Sequence, residues 1–277
     1  MEFCAKYYEL VFELYALQEE QLELISSDDN PEKAFYYVNY ANVYYFFQDY
    51  EKAIYYYYLA MKEPDNNNNY YSKLHALNGL AISYSGKGDY NRSDSCLHII
   101  LQLDFIVGIK RDEWEGIVEG HLGNNMISRH EIEKAIPLLK SSVEKMLKFN
   151  DYAFASGRAS DLVKVLIEMG NIEETGYYME FATENHFKPR YPRNSHVYYE
   201  AKCKYYLAFG EEALSRVYLD SIMTAKQQRD EQFNTLLLLR LEQKESAKQQ
   251  RRLVDEKIRN RNYFLFALGG CAFLLIV

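Results

Sequence analysis

The stretch "ANVYYFFQDYEKAIYYYYLAM" (residues 41–61) sets the small side chains Ala41, Ala53 and Ala60 among large rings, with a break at Gln48-Asp49. Small residues at fixed places on two neighbouring helices let their backbones touch, and aromatic rings fill the gaps around such a contact. Residues 44–58 hold seven tyrosines and two phenylalanines. Tyr44 and Tyr50 are expected in the core, and Tyr45 and Phe46 on the face away from the second helix. Four consecutive tyrosines cannot share one helical face, since each step turns the side chain by about 100°. Tyr57 is therefore expected to be buried, with Tyr55, Tyr56 and Tyr58 divided between a neighbouring hairpin and solvent.

The frame recurs along the chain. It reappears as "LAISYSGKGDYNRSDSCLHII" (80–100), "LGNNMISRHEIEKAIPLLKSS" (122–142), "LVKVLIEMGNIEETGYYMEFA" (162–182) and, more weakly, "KCKYYLAFGEEALSRVYLDSI" (202–222). Ala53, Ser93, Ala135, Thr175 and Ser215 form one column of small residues at spacings of 40, 42, 40 and 40. A second column, Ala41, Ala81, Gly123, Val163 and Cys203, marks the facing point on the first helix of each hairpin. The turns fall at Gln48-Asp49, Gly88-Asp89, His130-Glu131, Gly170-Asn171 and Gly210-Glu211, where Gly, Asn and Asp tolerate left-handed or capping geometry. Gln48 and His130 depart from glycine and predict less ideal turns. The connections between hairpins, at 63–72, 104–116, 148–156 and 185–195, are long, and read as longer turns or as helices extended past the motif.

With these columns in phase, residues 34 to about 222 resemble an array of tetratricopeptide repeats. The resemblance implies an all-α fold: a right-handed superhelical α-solenoid whose concave groove is lined by the first helix of each hairpin. Residues 1–30 read as an N-terminal capping helix followed by an acidic turn, with the first hairpin starting near Pro31. Residues 31–222 are the five hairpins, 223–262 a long linker helix, and 263–277 the start of a membrane segment.

Composition fits this picture. Of 277 residues, 48% are hydrophobic and 26% charged, while Gly (13) and Pro (5) are scarce, so a helical core is expected. Net charge is -8, but residues 226–277 hold ten Lys/Arg against six Asp/Glu, which leaves residues 1–225 at -12. An acidic body repels phosphate backbones, and nucleic acid is not expected as its partner. The four cysteines, Cys4, Cys96, Cys203 and Cys271, are too dispersed for a zinc site or a disulfide framework. The six histidines form no HExxH, and no Gly-rich phosphate loop occurs. "SGKG" (85–88) lies in a repeat turn, and the glycosylation sequon "NRS" (91–93) places Ser93 in the tight column. No catalytic residue, metal site or cofactor is expected, although a kinase domain beyond residue 277 is left open.

The resemblance places the groove positions at Phe35, Val38, Asn42, Tyr45 and Phe46, then His75, Asn78 and Ile82. Ile117, Asn124, Ile127, Lys164, Lys204 and Leu207 follow in the later repeats. Asn42 and Asn124 would hold an extended peptide backbone through their side-chain amides. The two-lysine clamp that some members use for a peptide carboxylate is not recognisable. A peptide or protein ligand in this groove is the expected partner.

From Glu211 to Leu268 there is neither Gly nor Pro, which predicts one helix of some fifty residues. Its apolar cluster, Phe233 with Leu236 to Leu239 and Leu241, must dock or pair, so a homodimer through this helix is one expectation. "YFLFALGGCAFLLIV" (263–277) carries no charge and follows the basic flank "RRLVDEKIRNRN" (251–262). Fifteen residues span only about 22 Å, so this reads as part of a span. The order of parts resembles bacterial membrane-anchored tetratricopeptide sensors, with one span through the cytoplasmic membrane and periplasmic repeats. A basic flank on the N-terminal side favours the opposite, cytoplasmic placement, as does the absence of a visible secretory signal. The alternative is a cytosolic adaptor tethered by its tail.

Overall fold

The computed structural model of the chain describes residues 22, 24–64, 70–104, 109–188, 195–227, 250–259 and 261–262. Its helices are α1 (Lys33–Phe46), α2 (Tyr50–Lys62), α3 (Tyr70–Gly86), α4 (Tyr90–Leu101), α5 (Ile109–Ser128) and α6 (Ile132–Lys148). They continue with α7 (Tyr152–Glu168), α8 (Ile172–His186) and α9 (Ser195–Ala208), then α10 (212–227) and a stretch at 250–259. No strand occurs among the described residues. The chain divides into two units, Tyr15–Arg229 and Met1–Leu14 with Asp230–Val277; all of α1–α10 belong to the first.

The five expected turns share one geometry. Gln48, Gly88, His130, Gly170 and Gly210 all have positive φ, between 58° and 79°. The next residue donates its N–H back to the fifth residue before it: Asp49 to Tyr44, Asp89 to Tyr84, Glu131 to Met126, Asn171 to Leu166 and Glu211 to Tyr206, at 2.8–3.0 Å. This is the Schellman closure of a helix C-terminus. The Gln48 and His130 turns are thus as regular as the glycine turns, and their departure from Gly shows as backbone strain rather than altered shape. In four connections the closing residue also caps the following helix: Asp49, Asp89, Asp151 and Asn171 accept from the N–H three residues on. Asp151 belongs to the connection between α6 and α7, where Asn150 has φ 57° and Asp151 N–H returns to Met146. That link is therefore a tight turn, and its surplus length went into the helices.

Each helix packs on its chain neighbours, and the first helices of successive hairpins also pack on each other: α1 on α3, α5 on α7, α7 on α9. Such added contacts put the odd-numbered helices on the inside of the curve. Ala53, Ser93, Ala135, Thr175 and Ser215 are all buried, as are Ala41, Ala81 and Val163. A Cβ on Gly123 would lie 2.8 Å from Leu139, and one on Gly79 would run into the Tyr57 ring. Tyr57 is buried as expected, but so is Tyr56, which stacks on Tyr44 at 5.2 Å. Tyr55 and Tyr58 are exposed.

The third hairpin is tied to the second by a polar knot. Asn125 of α5 is buried, accepts from the Ser85 hydroxyl (2.7 Å) and donates to Ser93 (2.8 Å) and Asp94 (2.7 Å). Ser93 is thus engaged inside the protein, whereas Asn91, the first residue of the sequon, is exposed.

Residues 228–249 and 263–277, which carry the expected apolar cluster and membrane segment, lie outside the described residues, as do residues 1–21. Among the described residues no helix is long and apolar enough to cross a membrane.

Candidate peptide-binding groove

A cavity of about 320 Å³ opens on the inner side, lined by Ile127 of α5, by Asp161, Lys164, Val165 and Glu168 of α7, by Glu200, Cys203 and Lys204 of α9, and by Ile222 of α10. Three groove positions implied by the repeat frame, Ile127, Lys164 and Lys204, meet there. The floor is apolar and the rim carries charges of both signs.

The rim charges are paired. Lys164 Nζ lies 2.8 Å from Asp161, Lys204 Nζ 3.2 Å from Glu168, and Lys226 Nζ 3.1 Å from Glu200. Asp161 is buried between Lys164 and Arg158, whose Nη1 is 3.2 Å away. Burial by itself would raise its pKa, but Lys164, Arg158 and a hydrogen bond from Asn124 hold it below the usual carboxylate value. Arg158 also donates to the Gly120 carbonyl at 3.1 Å and lies over the Phe154 ring at 4.9 Å. On the other edge of Phe154 sits His121, 5.5 Å between centroids. Burial, with Arg158 nearby, pushes the His121 pKa down to about 3, so this imidazole is neutral at pH 7.

The remaining expected positions are distributed differently. Val38 is buried in the core. Asn42 already accepts a hydrogen bond from the Tyr57 hydroxyl at 2.6 Å, which leaves its amide nitrogen for any ligand. Tyr45 is half-buried beside Tyr50, 5.9 Å between rings. Burial and Tyr50 raise its pKa while Arg158 opposes the rise. Phe35 and Phe46 are exposed, with Phe46 set edge-on to Phe47. His75 is exposed and edge-on to Trp114, and partial desolvation with Lys110 nearby lowers its pKa. Ile82 and Ile117 are half-buried, and Leu207 is exposed. Oδ1 of Asn78 and Oδ1 of Asn124 are enclosed without a hydrogen-bond partner; these amide oxygens are acceptors the fold itself leaves unused.

Asp161, Glu168 and Glu200 were not among the expected positions. A signal for two of them was present, since Lys164–Glu168 and Glu200–Lys204 stand four apart and share a helix face. Arg158 and His121 carried no such signal; their meeting depends on how α5 and α7 pack.

Fold and inner groove together define a helical-repeat protein of the tetratricopeptide-like kind. No family model matches the chain, and no curated protein does. Among solved structures it is similar to BtubC (BKLC) from P. vanneervenii, at 12% identity and TM-score 0.58, over 78% of this chain and 89% of that one. It is also similar to a single-residue variant of Podosopora anserina kinesin light chain with nearly identical TPR-like repeats, at 15% identity and TM-score 0.50, over 74% and 99%. At such identities the likeness is one of fold.

Proposed function

We propose that this chain is a non-catalytic scaffold that binds an extended segment of a protein or peptide along its inner groove. The observation that carries this reading is the inner cavity, with its apolar floor of Ile127, Val165 and Ile222 beneath a rim of charges. An apolar anchor side chain fits such a floor, and rim charges orient the backbone around it. The TPR-like fold supports the same reading, because its stacked hairpins present a long inner surface built for contact. Random dodecapeptides displayed on phage and panned on the full chain test it. Peptides should be enriched whose binding is abolished when Ile127, on the apolar floor, is replaced by Asp; no enrichment, or equal binding to that variant, would sink the reading.

The finer part of the proposal is a membrane-anchored sensor in which residues 251–277 meet the bilayer. Its support is sequence alone: the uncharged run 263–277 behind a basic flank. Fractionation of cells expressing the full chain, with and without residues 263–277, is the check. Equal recovery of both in the soluble fraction would remove the anchor.

A further inference from the structure

A second depression, of about 400 Å³, lies at the edge of the array where the hairpin turns emerge. It is lined by His130 to Lys134 at the start of α6, and by Glu168 and Met169 at the end of α7. Glu168 also lines the inner cavity. The two depressions therefore adjoin at one carboxylate, which is more than half exposed and, among the described residues, paired with the similarly exposed Lys204 at 3.2 Å. Exposed pairs of this kind contribute little to stability, so an incoming cation can exchange with Lys204 at little cost.

We propose, building on the groove reading above, that the bound segment does not stay inside the curve. It leaves the inner cavity over Glu168 and continues into the turn-edge depression. The segment is extended, with a Lys or Arg whose cation rests on Glu168, and with aliphatic side chains on either side of it. One aliphatic group reaches the apolar floor of the inner cavity; the other rests on Ile132 and Met169. Met169 is 51% exposed, an apolar side chain left at the rim where such a partner would cover it. Charge supports a basic occupant. Glu131 is already paired with Arg129 and Lys134, which leaves Glu133 and Glu168 as the acids of the edge depression that face an incoming cation, and residues 1–225 carry -12 overall, which steers cations toward the array. Alternate side chains of an extended chain recur about every 7 Å on one face, so a few residues suffice to cross from one depression to the other.

The test uses the peptides enriched by the full chain, labelled for fluorescence anisotropy. They should share a Lys or Arg with an aliphatic residue close on each side. Glu168→Lys should weaken binding about tenfold or more and Glu168→Gln less, while Met169→Asp should weaken it without altering the circular dichroism spectrum. Enriched peptides that lack a basic residue, or that bind Glu168→Lys and Met169→Asp as tightly as the unaltered chain, would overturn the edge path. If those same peptides are still lost from Ile127→Asp, the inner groove stands and only the path over Glu168 fails. If no peptide is enriched, both fall.

Discussion

At the scale of single residues the array depends on places where nothing larger fits. A methyl group on Gly79 would run into the Tyr57 ring, itself fully buried, so the two cannot coexist without displacing α2 from α3. Gly79→Ala should lower the urea midpoint by an amount equivalent to about 1–3 kcal/mol, and an unchanged midpoint would mean the hairpins do not meet there. Ala53→Leu should act the same way on the first hairpin. The left-handed turns point in the opposite direction. Gln48 and His130 have φ of 58° and 63° with a side chain that makes this conformation costly, whereas glycine adopts it freely. Gln48→Gly and His130→Gly should each stabilise by about 0.5–1 kcal/mol, once the larger chain entropy of glycine is subtracted. Destabilisation by either change in thermal melts would contradict the shared turn geometry.

At the scale of elements, helices are joined by polar contacts as well as packing. Asn125 satisfies groups on α3 and α4 from within α5, so Asn125→Leu takes this partner from Ser85 and Ser93, while Asp94 keeps Arg129 at 2.7 Å. A loss of about 1–3 kcal/mol is expected, and wild-type stability would show that the knot is dispensable. The contact between α5 and α7 also makes stability depend on pH. His121 has its folded pKa at about 3, against about 6.5 when unfolded. The unfolded chain therefore takes up a proton that the folded one refuses, and stability present above about pH 6.5 is lost as pH falls toward about 3, at up to about 1.4 kcal/mol per pH unit. His186, buried and lowered chiefly by that burial, adds loss of the same sign. Asp161, held low, adds to it only below about pH 4. Urea midpoints at about pH 7 and about pH 5 should differ, and His121→Gln should flatten the difference; equal midpoints in the unaltered chain would refute the lowered His121 pKa.

At the scale of the whole repeat unit, each hairpin leans on its neighbours, so local stability should follow local burial. The buried residues of α3 to α7 include Leu74, Leu97, Leu139 and Leu162, whereas α10 leaves Leu214, Val217, Leu219 and Met223 exposed. Amide hydrogen exchange should be fastest in α9 and α10 and slowest in α3 to α7. The reverse order would mean the array is anchored from its C-terminal hairpin.

Repeat frame, turn positions and the two small-residue columns were all legible in the sequence, because each is set by contacts within one hairpin. That Ile127, Lys164 and Lys204 share one side of the array was legible for the same reason, since a position in the repeat fixes a side of the helix. The engagement of Asn42 by Tyr57, the burial of Val38 and Tyr56, and the meeting of His121 with Arg158 were not. These depend on the angle and distance between helices, which no local period encodes. The same holds for the junction of two depressions at Glu168, since three hairpins must curve together before one carboxylate can border both. The sequence by itself thus determined which elements form and how they pair, through local packing. Only the tertiary structure decided what the inner surface offers a partner, because that surface is assembled from helices some forty residues apart.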